Sequence, residues 1–164
     1  MTGEVIKTAP AYTFHLNNPI EPGLVCIGKY DGKRPSLTCA TSAGKILIHS
    51  PHERSYIDRS GQSSEKVPVD SLQDTRFLNI NKKITALAAG ALDQNAEHDT
   101  LLIGTETNLL AYDVEKNSDI FYKDLTDGVG ALAMGCLPSS QEPLVVVGGN
   151  CSIQGFNADG IERY

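Results

Sequence analysis

The sequence has few of the residues with which proteins bind nucleic acid or enter a membrane. It contains no tryptophan, 6% of its residues are aromatic, and 20 Asp and Glu outnumber 14 Lys and Arg, so the net charge is −6. Nucleic-acid binding needs a basic patch or aromatic stacking surfaces. No run approaches the ~18 apolar residues of a membrane-spanning helix. We therefore expect no nucleic-acid partner and no direct insertion into a membrane.

Sequence motifs of common enzyme and cofactor sites are also absent. The chain has no phosphate-binding glycine loop, no dinucleotide fingerprint, no G-x-S-x-G nucleophile elbow and no EF-hand loop. His49 and His52 form a close pair, but a metal site needs a third ligand, so a surface turn is the favoured interpretation. His98 is interpreted as a solvated residue of a polar loop. The sequence predicts no catalytic residue, no cofactor, no metal site and no enzyme activity.

Acidic residues recur near the ends of the predicted strands. Such residues can bind calcium or act as acid–base pairs, but they also form turns by accepting hydrogen bonds from nearby backbone N–H groups. None fits a calcium-loop pattern, so we favour the turn role. The residues are Asp31, Asp93, Asp99, Asp113 and Asp127.

The four cysteines include no C-x-x-C pair, and each lies in or beside an apolar run. They are Cys26, Cys39, Cys136 and Cys151. The first ten residues also lack the basic and apolar regions of a signal peptide. We therefore predict reduced core cysteines in a cytosolic protein.

Three stretches of the chain share one plan of short apolar runs separated by polar turns. The first run of each stretch ends in Gly28, Gly90 and Gly135, at steps of 62 and 45 residues. A polar insertion at 54–76 lengthens the first step; without it the period is ~40–45 residues, as in four-stranded propeller blades. This insertion is either a flexible excursion or a partner-binding loop.

The repeat predicts an all-β fold: about three β-propeller blades of four antiparallel strands, forming an incomplete, N-terminal part of a propeller over residues 1–164. A β-sandwich also shows short apolar runs, but the periodicity favours the propeller. Strands are expected at 24–28, 36–41, 45–49, 84–90, 100–105, 108–114, 130–135, 144–149 and 152–156. The predicted units are approximately 24–80, 84–125 and 129–164, preceded by an N-terminal strand at approximately 11–17.

Several segments carry a more specific resemblance. They are Ile27–Gly32, Ile48–His52, Leu102–Val114, Asn117–Tyr122 and Gly148–Asn157. Together they resemble the N-terminal β-propeller of the Bardet–Biedl syndrome 2 family of BBSome subunits, over roughly residues 11–164. The WD and GH dipeptides of general WD-repeat proteins are absent.

The resemblance implies a non-catalytic scaffold of the BBSome, a coat-like complex that moves membrane-protein cargo into and out of cilia. It implies other BBSome subunits as partners, notably the 7 and 9 members of the Bardet–Biedl series. The implied location is the cilium, the ciliary basal body and the cytoplasm. A propeller scaffold of another complex and a metal-dependent propeller hydrolase remain alternatives. Exposed strand edges also predict self-association.

Overall fold

The computed structural model describes residues 13, 15–50, 75–137 and 142–164. These residues form strands and turns, and none of them lies in a helix. The strands are β1 Ile20–Gly28, β2 Ser36–Thr41, β3 Lys45–His49, β4 Thr75–Asn79, β5 Ile84–Gly90, β6 Thr100–Thr105, β7 Asn108–Asp113, β8 Ser118–Asp124, β9 Ala131–Cys136, β10 Pro143–Gly148 and β11 Ile153–Phe156. The all-β prediction is confirmed, and β2, β3, β5 and β6 begin and end where the sequence predicts.

The strands form three sheets in which consecutive strands pair antiparallel. The first sheet has the order β1-β2-β3-β4, the middle sheet β5-β6-β7-β8, and the third sheet β11-β10-β9. Each order follows the chain without a crossover. Antiparallel neighbours of this kind can be joined by short turns, although β3 and β4 are separated by residues 50–74.

The sheets stack face to face through two hydrophobic cores. Because side chains alternate along a strand, Leu101 and Ile103 of β6 point to one face of the middle sheet and Leu102 points to the other. The first core joins the first and middle sheets and contains Leu24, Ala40, Ile46, Ile48, Ile84, Leu101, Ile103 and Tyr112. The second core joins the middle and third sheets and contains Leu102, Leu109, Ala111, Phe121, Val145, Val147 and Phe156.

The turns use the residues that the sequence indicates. Gly44 closes the β2–β3 hairpin with φ of 69°, and its N–H donates to the carbonyl of Thr41 at 3.0 Å. Glycine adopts this left-handed conformation without the steric cost that a side chain adds. Gly32 turns the chain after β1, with φ of 72°.

Two expected features differ at the edges of the sheets. The sequence assigned Thr75 and Arg76 to the polar insertion, but these two residues begin β4. The rest of the insertion lies within residues 51–74, which are outside the described part of the chain. In the expected strand at 11–17, the described residues 13 and 15–17 form no strand. An apolar pattern alone does not establish a strand there, because a strand also needs a neighbouring strand with which to pair.

Residues 161–164 lie alongside β11. Glu162 forms an antiparallel bridge with Phe156, and the Arg163 N–H donates to the carbonyl of Gly155 at 2.7 Å. Residues 161–164 therefore occupy the position of a fourth strand in the third sheet.

Candidate interaction surfaces

The recurring aspartates all have backbone partners. The turn interpretation is confirmed for three of them, whereas Asp99 and Asp127 accept from residues 70 and 24 positions away and join separate loops. Each carboxylate accepts a backbone N–H hydrogen bond, which holds a turn or joins two loops. The donors are Lys33 and Arg34 to Asp31, Asn95 to Asp93, Lys29 to Asp99, Lys116 to Asp113 and Cys151 to Asp127. Hydrogen bonds of this kind lower the pKa of Asp31 and of Asp127, because they stabilise the charged form.

Asp113 is the most enclosed of these carboxylates, and its partner is a histidine. The His98 Nε2 lies 3.1 Å from the Asp113 Oδ2, and the His98 side chain is half-buried. Burial alone would raise the pKa of Asp113, but hydrogen bonds from the Lys116 backbone and the His98 side chain outweigh it and lower the pKa to about 2. The prediction of a solvated His98 is therefore wrong, because β7 places Asp113 against the β5–β6 loop that contains His98.

The His49 prediction is also wrong. His49 is 2% exposed, and its Nδ1 lies 3.3 Å from the Thr75 hydroxyl of the adjacent strand β4. It lies inside the first sheet because β4 pairs along β3. His52 lies outside the described residues. Within the described ranges, no group of three His, Cys, Asp or Glu residues is placed to bind a metal ion.

The cysteines divide into two pairs by burial. Cys39 is buried and Cys26 is half-buried, and burial raises the pKa of the Cys26 thiol to about 11. Cys136 and Cys151 are exposed, so the prediction of a core position is wrong for these two. They lie at the end of β9 and in the β10–β11 turn, beyond the covered part of the third sheet.

The flanking sheets each leave one face open at their first strand. On β1, Val25 and Ile27 are 50% and 66% exposed, and they point away from the middle sheet. We call this the first open face. On β9, Ala131, Ala133 and Gly135 are exposed on the side away from the middle sheet. We call this the second open face.

A separate apolar groove runs between the ends of the first and middle sheets. The groove has a volume of about 240 Å³. Leu78 and Ile80 line one wall, and Leu110 and Tyr122 line the other. Tyr122 is 49% exposed. We call this the outer groove, and no sequence motif indicated it.

A basic residue lies at the mouth of the outer groove. The Lys82 Nζ donates to the Tyr122 hydroxyl at 3.0 Å and to the side-chain oxygen of Asn108. The groove therefore combines apolar walls with one cationic group, Lys82, and one acidic group, Asp119. An apolar peptide segment that carries both a hydrogen-bond acceptor and a hydrogen-bond donor matches these features.

Over the ranges that the structure describes, no helix has the length and apolar character needed to cross a membrane.

The arrangement of the sheets matches a known domain fold. The chain superposes on the crystal structure of BBS1N in complex with ARL6DN, soaked with mercury, with a TM-score of 0.54. The match covers 85% of this chain and 38% of that chain at 10% sequence identity, so it concerns the fold alone. That domain is a β-propeller, which confirms that the three sheets are propeller blades.

Sequence comparison identifies the family. The family described as "Ciliary BBSome complex subunit 2, N-terminal" matches residues 26–135. The chain is 48% identical over 155 residues to BBSome complex member BBS2 of Danio rerio and 43% identical to that of Homo sapiens. Each match covers 94% of this chain and 21% of the relative, so the chain spans about a fifth of their length. The chain belongs to the family of BBSome subunit 2 N-terminal domains.

Proposed function

We propose that this chain is a non-catalytic scaffold element of the BBSome. The observation that carries the proposal is family membership across residues 26–135, a region that includes all of the middle sheet. The proposal assigns the chain to a coat-like complex that moves membrane-protein cargo into and out of cilia. Its expected locations are the cilium, the ciliary basal body and the cytoplasm.

The use of the polar residues supports a scaffold role. The recurring carboxylates are engaged in turns, and Asp113 is occupied by His98 and Lys116. Asp93 lines a cavity of about 760 Å³, but its carboxylate accepts the Asn95 N–H and holds a turn there. These aspartates stabilise loops, which fits the proposed scaffold role.

We assign the outer groove as the partner-binding surface. Tyr122 is a large aromatic side chain at an exposed edge, and aromatic residues of this kind dominate the binding energy of protein interfaces. Lys82 adds a charged hydrogen-bond donor beside it. The proposed partners are other BBSome subunits, notably the 7 and 9 members of the Bardet–Biedl series.

The proposal is tested by affinity capture from a lysate of ciliated cells. The tagged chain is the bait, a full-length relative runs beside it, and mass spectrometry identifies the captured proteins. We expect the chain to enrich other BBSome subunits. Enrichment by the full-length relative alone, or of a different stable complex by this chain, would contradict a subunit-binding surface within residues 1–164.

A matched pair of tyrosine variants locates the binding surface. Tyr122→Asp places a charge in the outer groove, whereas Tyr164→Asp changes an exposed tyrosine outside it. We expect Tyr122→Asp to lower the captured amount of BBSome subunits at least about tenfold, as loss of an interface hot spot does. Tyr164→Asp should capture as much as the unchanged chain. An equal loss of captured subunits in both variants would contradict the assignment of the outer groove as the binding surface.

A further inference from the structure

The pairing of β7 with β8 changes register at one residue beside the outer groove. Leu110 of β7 opposes Tyr122 of β8. Tyr112 lies two positions further along β7, but it opposes Asp119, which lies three positions back along β8. Ile120 is therefore an extra residue without an opposing residue in β7, which is a β-bulge.

The bulge brings Asp119 and Tyr122 to the same face of the middle sheet. In a regular strand, residues three positions apart point to opposite faces. Directly opposed residues share a face, and the opposing residues Leu110 and Tyr112 both pack in or against the first core. Asp119 and Tyr122 therefore both face the first sheet, and both line the outer groove.

The polar groups of the groove lie in a fixed order along β7. The residues of β7 on this face are Asn108, Leu110 and Tyr112. Lys82 bonds to the first of them, Tyr122 opposes the second, and Asp119 opposes the third. The rise along a strand places Asp119 about 7 Å from Tyr122 and about 14 Å from the Lys82 end. The groove therefore has a cation at one end, an aromatic ring in the middle and a carboxylate at the other end.

The positive charge at the first end is already balanced. The Lys82 Nζ donates to the side-chain oxygen of Asn108, and the Asn108 Nδ2 donates to the Asp124 Oδ1. A single amide thus links the Lys82 ammonium to a carboxylate. Lys82 also donates to the Tyr122 hydroxyl at 3.0 Å. This end of the groove does not require an acidic group from a partner.

The carboxylate at the other end is not balanced in this way. Asp119 is exposed, and no side chain or backbone group of the described residues forms a hydrogen bond or ion pair with it. The guanidinium of Arg76 on β4 donates instead to the carbonyl of Val114 at 2.8 Å. The charge that the groove offers to a partner is therefore negative.

The face of the Tyr122 ring is also accessible. The Lys82 Nζ lies 5.7 Å from the ring centroid and 3.0 Å from the hydroxyl. These two distances place the ammonium beyond the hydroxyl, close to the plane of the ring. Lys82 therefore leaves the ring face uncovered, and Tyr122 is 49% exposed. An aromatic ring face attracts a cation placed over it.

The size of the groove fits side chains of a peptide segment. Pockets for small molecules and cofactors usually have volumes of about 300–1,000 Å³, and the groove has about 240 Å³. Among cationic side chains, the planar guanidinium of arginine both pairs with a carboxylate through two hydrogen bonds and stacks on an aromatic face. Asp119 and Tyr122 are close enough together for one arginine side chain to contact both.

We propose that the partner segment places an arginine in the outer groove, with its guanidinium paired with the Asp119 carboxylate and lying over the Tyr122 ring. Apolar residues beside this arginine contact Leu78 and Ile80 on the opposite wall. The inference rests on the outer groove being the partner-binding surface, as assigned under the proposed function. It adds the chemistry that selects the partner, and it makes Asp119 the residue that determines specificity.

Removal of the Asp119 charge tests the inference in the same capture experiment. Asp119→Asn keeps nearly the same shape, and it should lower the captured amount of BBSome subunits at least about fivefold, because a charged hydrogen bond is lost. The matched control is Asp159→Asn, which changes an exposed aspartate outside the groove and should capture as much as the unchanged chain. Raising the salt concentration should weaken capture by the unchanged chain more than capture by Asp119→Asn.

The results separate this inference from the proposed function. If Tyr122→Asp lowers capture and Asp119→Asn does not, the arginine is overturned while the groove remains the binding surface. If the unchanged chain captures no BBSome subunit, the proposed function fails and the inference that rests on it fails as well. An equal loss in Asp119→Asn and Asp159→Asn would also overturn the role of Asp119.

A crosslink identifies the partner segment directly. Ile120 lies beside Asp119 at the bulge and is 43% exposed, so Ile120→p-azidophenylalanine places a photoreactive group at the groove and retains Asp119 and Tyr122. Mass spectrometry of the illuminated complex then gives the crosslinked peptide of the captured subunit. We expect an arginine within a few residues of the crosslink. A crosslinked segment without arginine would overturn the inference.

A charge exchange tests the pairing of the two residues. The partner's arginine is replaced by aspartate, and this chain carries Asp119→Arg. Each change alone should lower capture at least about fivefold, because it places like charges together. The two changes together should recover most of the captured amount, which a general loss of stability cannot produce. Failure of the pair to recover capture would overturn the direct contact with Asp119.

Discussion

The middle sheet and the two flanking sheets have similar residue patterns and different surroundings. In the middle sheet, Leu101, Leu102 and Ile103 of β6 are fully buried, because a sheet covers each face. In the first sheet, Ile27 lies at the position of Ala89 and is mostly exposed. Burial in this fold is therefore a property of neighbouring blades, and a residue's type alone does not determine it.

The largest expected difference in unfolding free energy is between substitutions at two equivalent apolar residues, one on the second strand of the middle sheet and one on the second strand of the third sheet. Leu102 pairs with Ala111 across the middle sheet as Val146 pairs with Gly155 across the third. Leu102→Ala should lower the free energy of unfolding by about 3–4 kcal/mol, because it creates a cavity in a covered core. Val146→Ala, on the half-buried open side, should cost about 1 kcal/mol or less. Urea denaturation of both variants measures the difference, and equal losses would contradict the comparison.

The repeat glycines provide the next contrast. A Cβ on Gly28 would lie 2.8 Å from both Ala89 and the Tyr30 ring, which cannot move aside freely. Gly28→Val should therefore lower the unfolding free energy by about 2–3 kcal/mol through overpacking.

Gly135→Val is the matched control for that variant, since the space around Gly135 is open. Gly135→Val should leave the unfolding free energy unchanged or raise it slightly, since β-branched residues favour strands. Thermal unfolding compares the two variants. A large loss of unfolding free energy from Gly135→Val would show that the second open face is already covered.

The Asp113 contacts predict a defined pH dependence. The folded-state pKa of about 2 lies below the ordinary value of 3.8, so ionised Asp113 contributes about 2 kcal/mol of stability above pH 4. That contribution is lost as the pH falls from about 4 to about 2. Asp113→Asn should destabilise the protein at pH 7, and the difference from the unchanged chain should disappear at pH 2. A pH-independent difference would contradict this assignment.

The smallest effect is expected for an exposed ion pair of the middle sheet. The Lys83 Nζ lies 3.1 Å from the Glu106 Oε1, and both side chains are exposed. Solvent screens such pairs, so Lys83→Ala should change the unfolding free energy by no more than about 0.5 kcal/mol. A loss comparable to that of Leu102→Ala, measured in the same urea titration, would mean that charges at the blade ends contribute as much as the covered faces.

Much of the fold could be predicted because the strands carry local signals. The spans of β5 and β6 follow from short apolar runs that end in Gly90 and Thr105, and Gly44 marks the β2–β3 turn. The turn role of Asp31, Asp93 and Asp113 follows from their position beside these strands, since their backbone donors lie two or three residues away. Such features depend on residues a few positions apart, which the sequence displays directly.

The remaining features depend on contacts between distant segments. His98 contacts Asp113 only because the end of β7 lies beside the β5–β6 loop. His49 is enclosed by the pairing of β3 with β4. The outer groove forms where Leu78 and Tyr122 of different sheets face each other. Periodicity predicts that blades exist, but it does not specify which side chains meet across them.

Nuclear Overhauser contacts across the sheets test the stacking of the blades most directly. The Ala89 methyl group should show a contact with the Hα protons of Gly28, and the Met134 methyl group should show a contact with those of Gly90. Absence of these two contacts, with intact strands, would contradict the glycine-centred packing on which this account of the molecule depends.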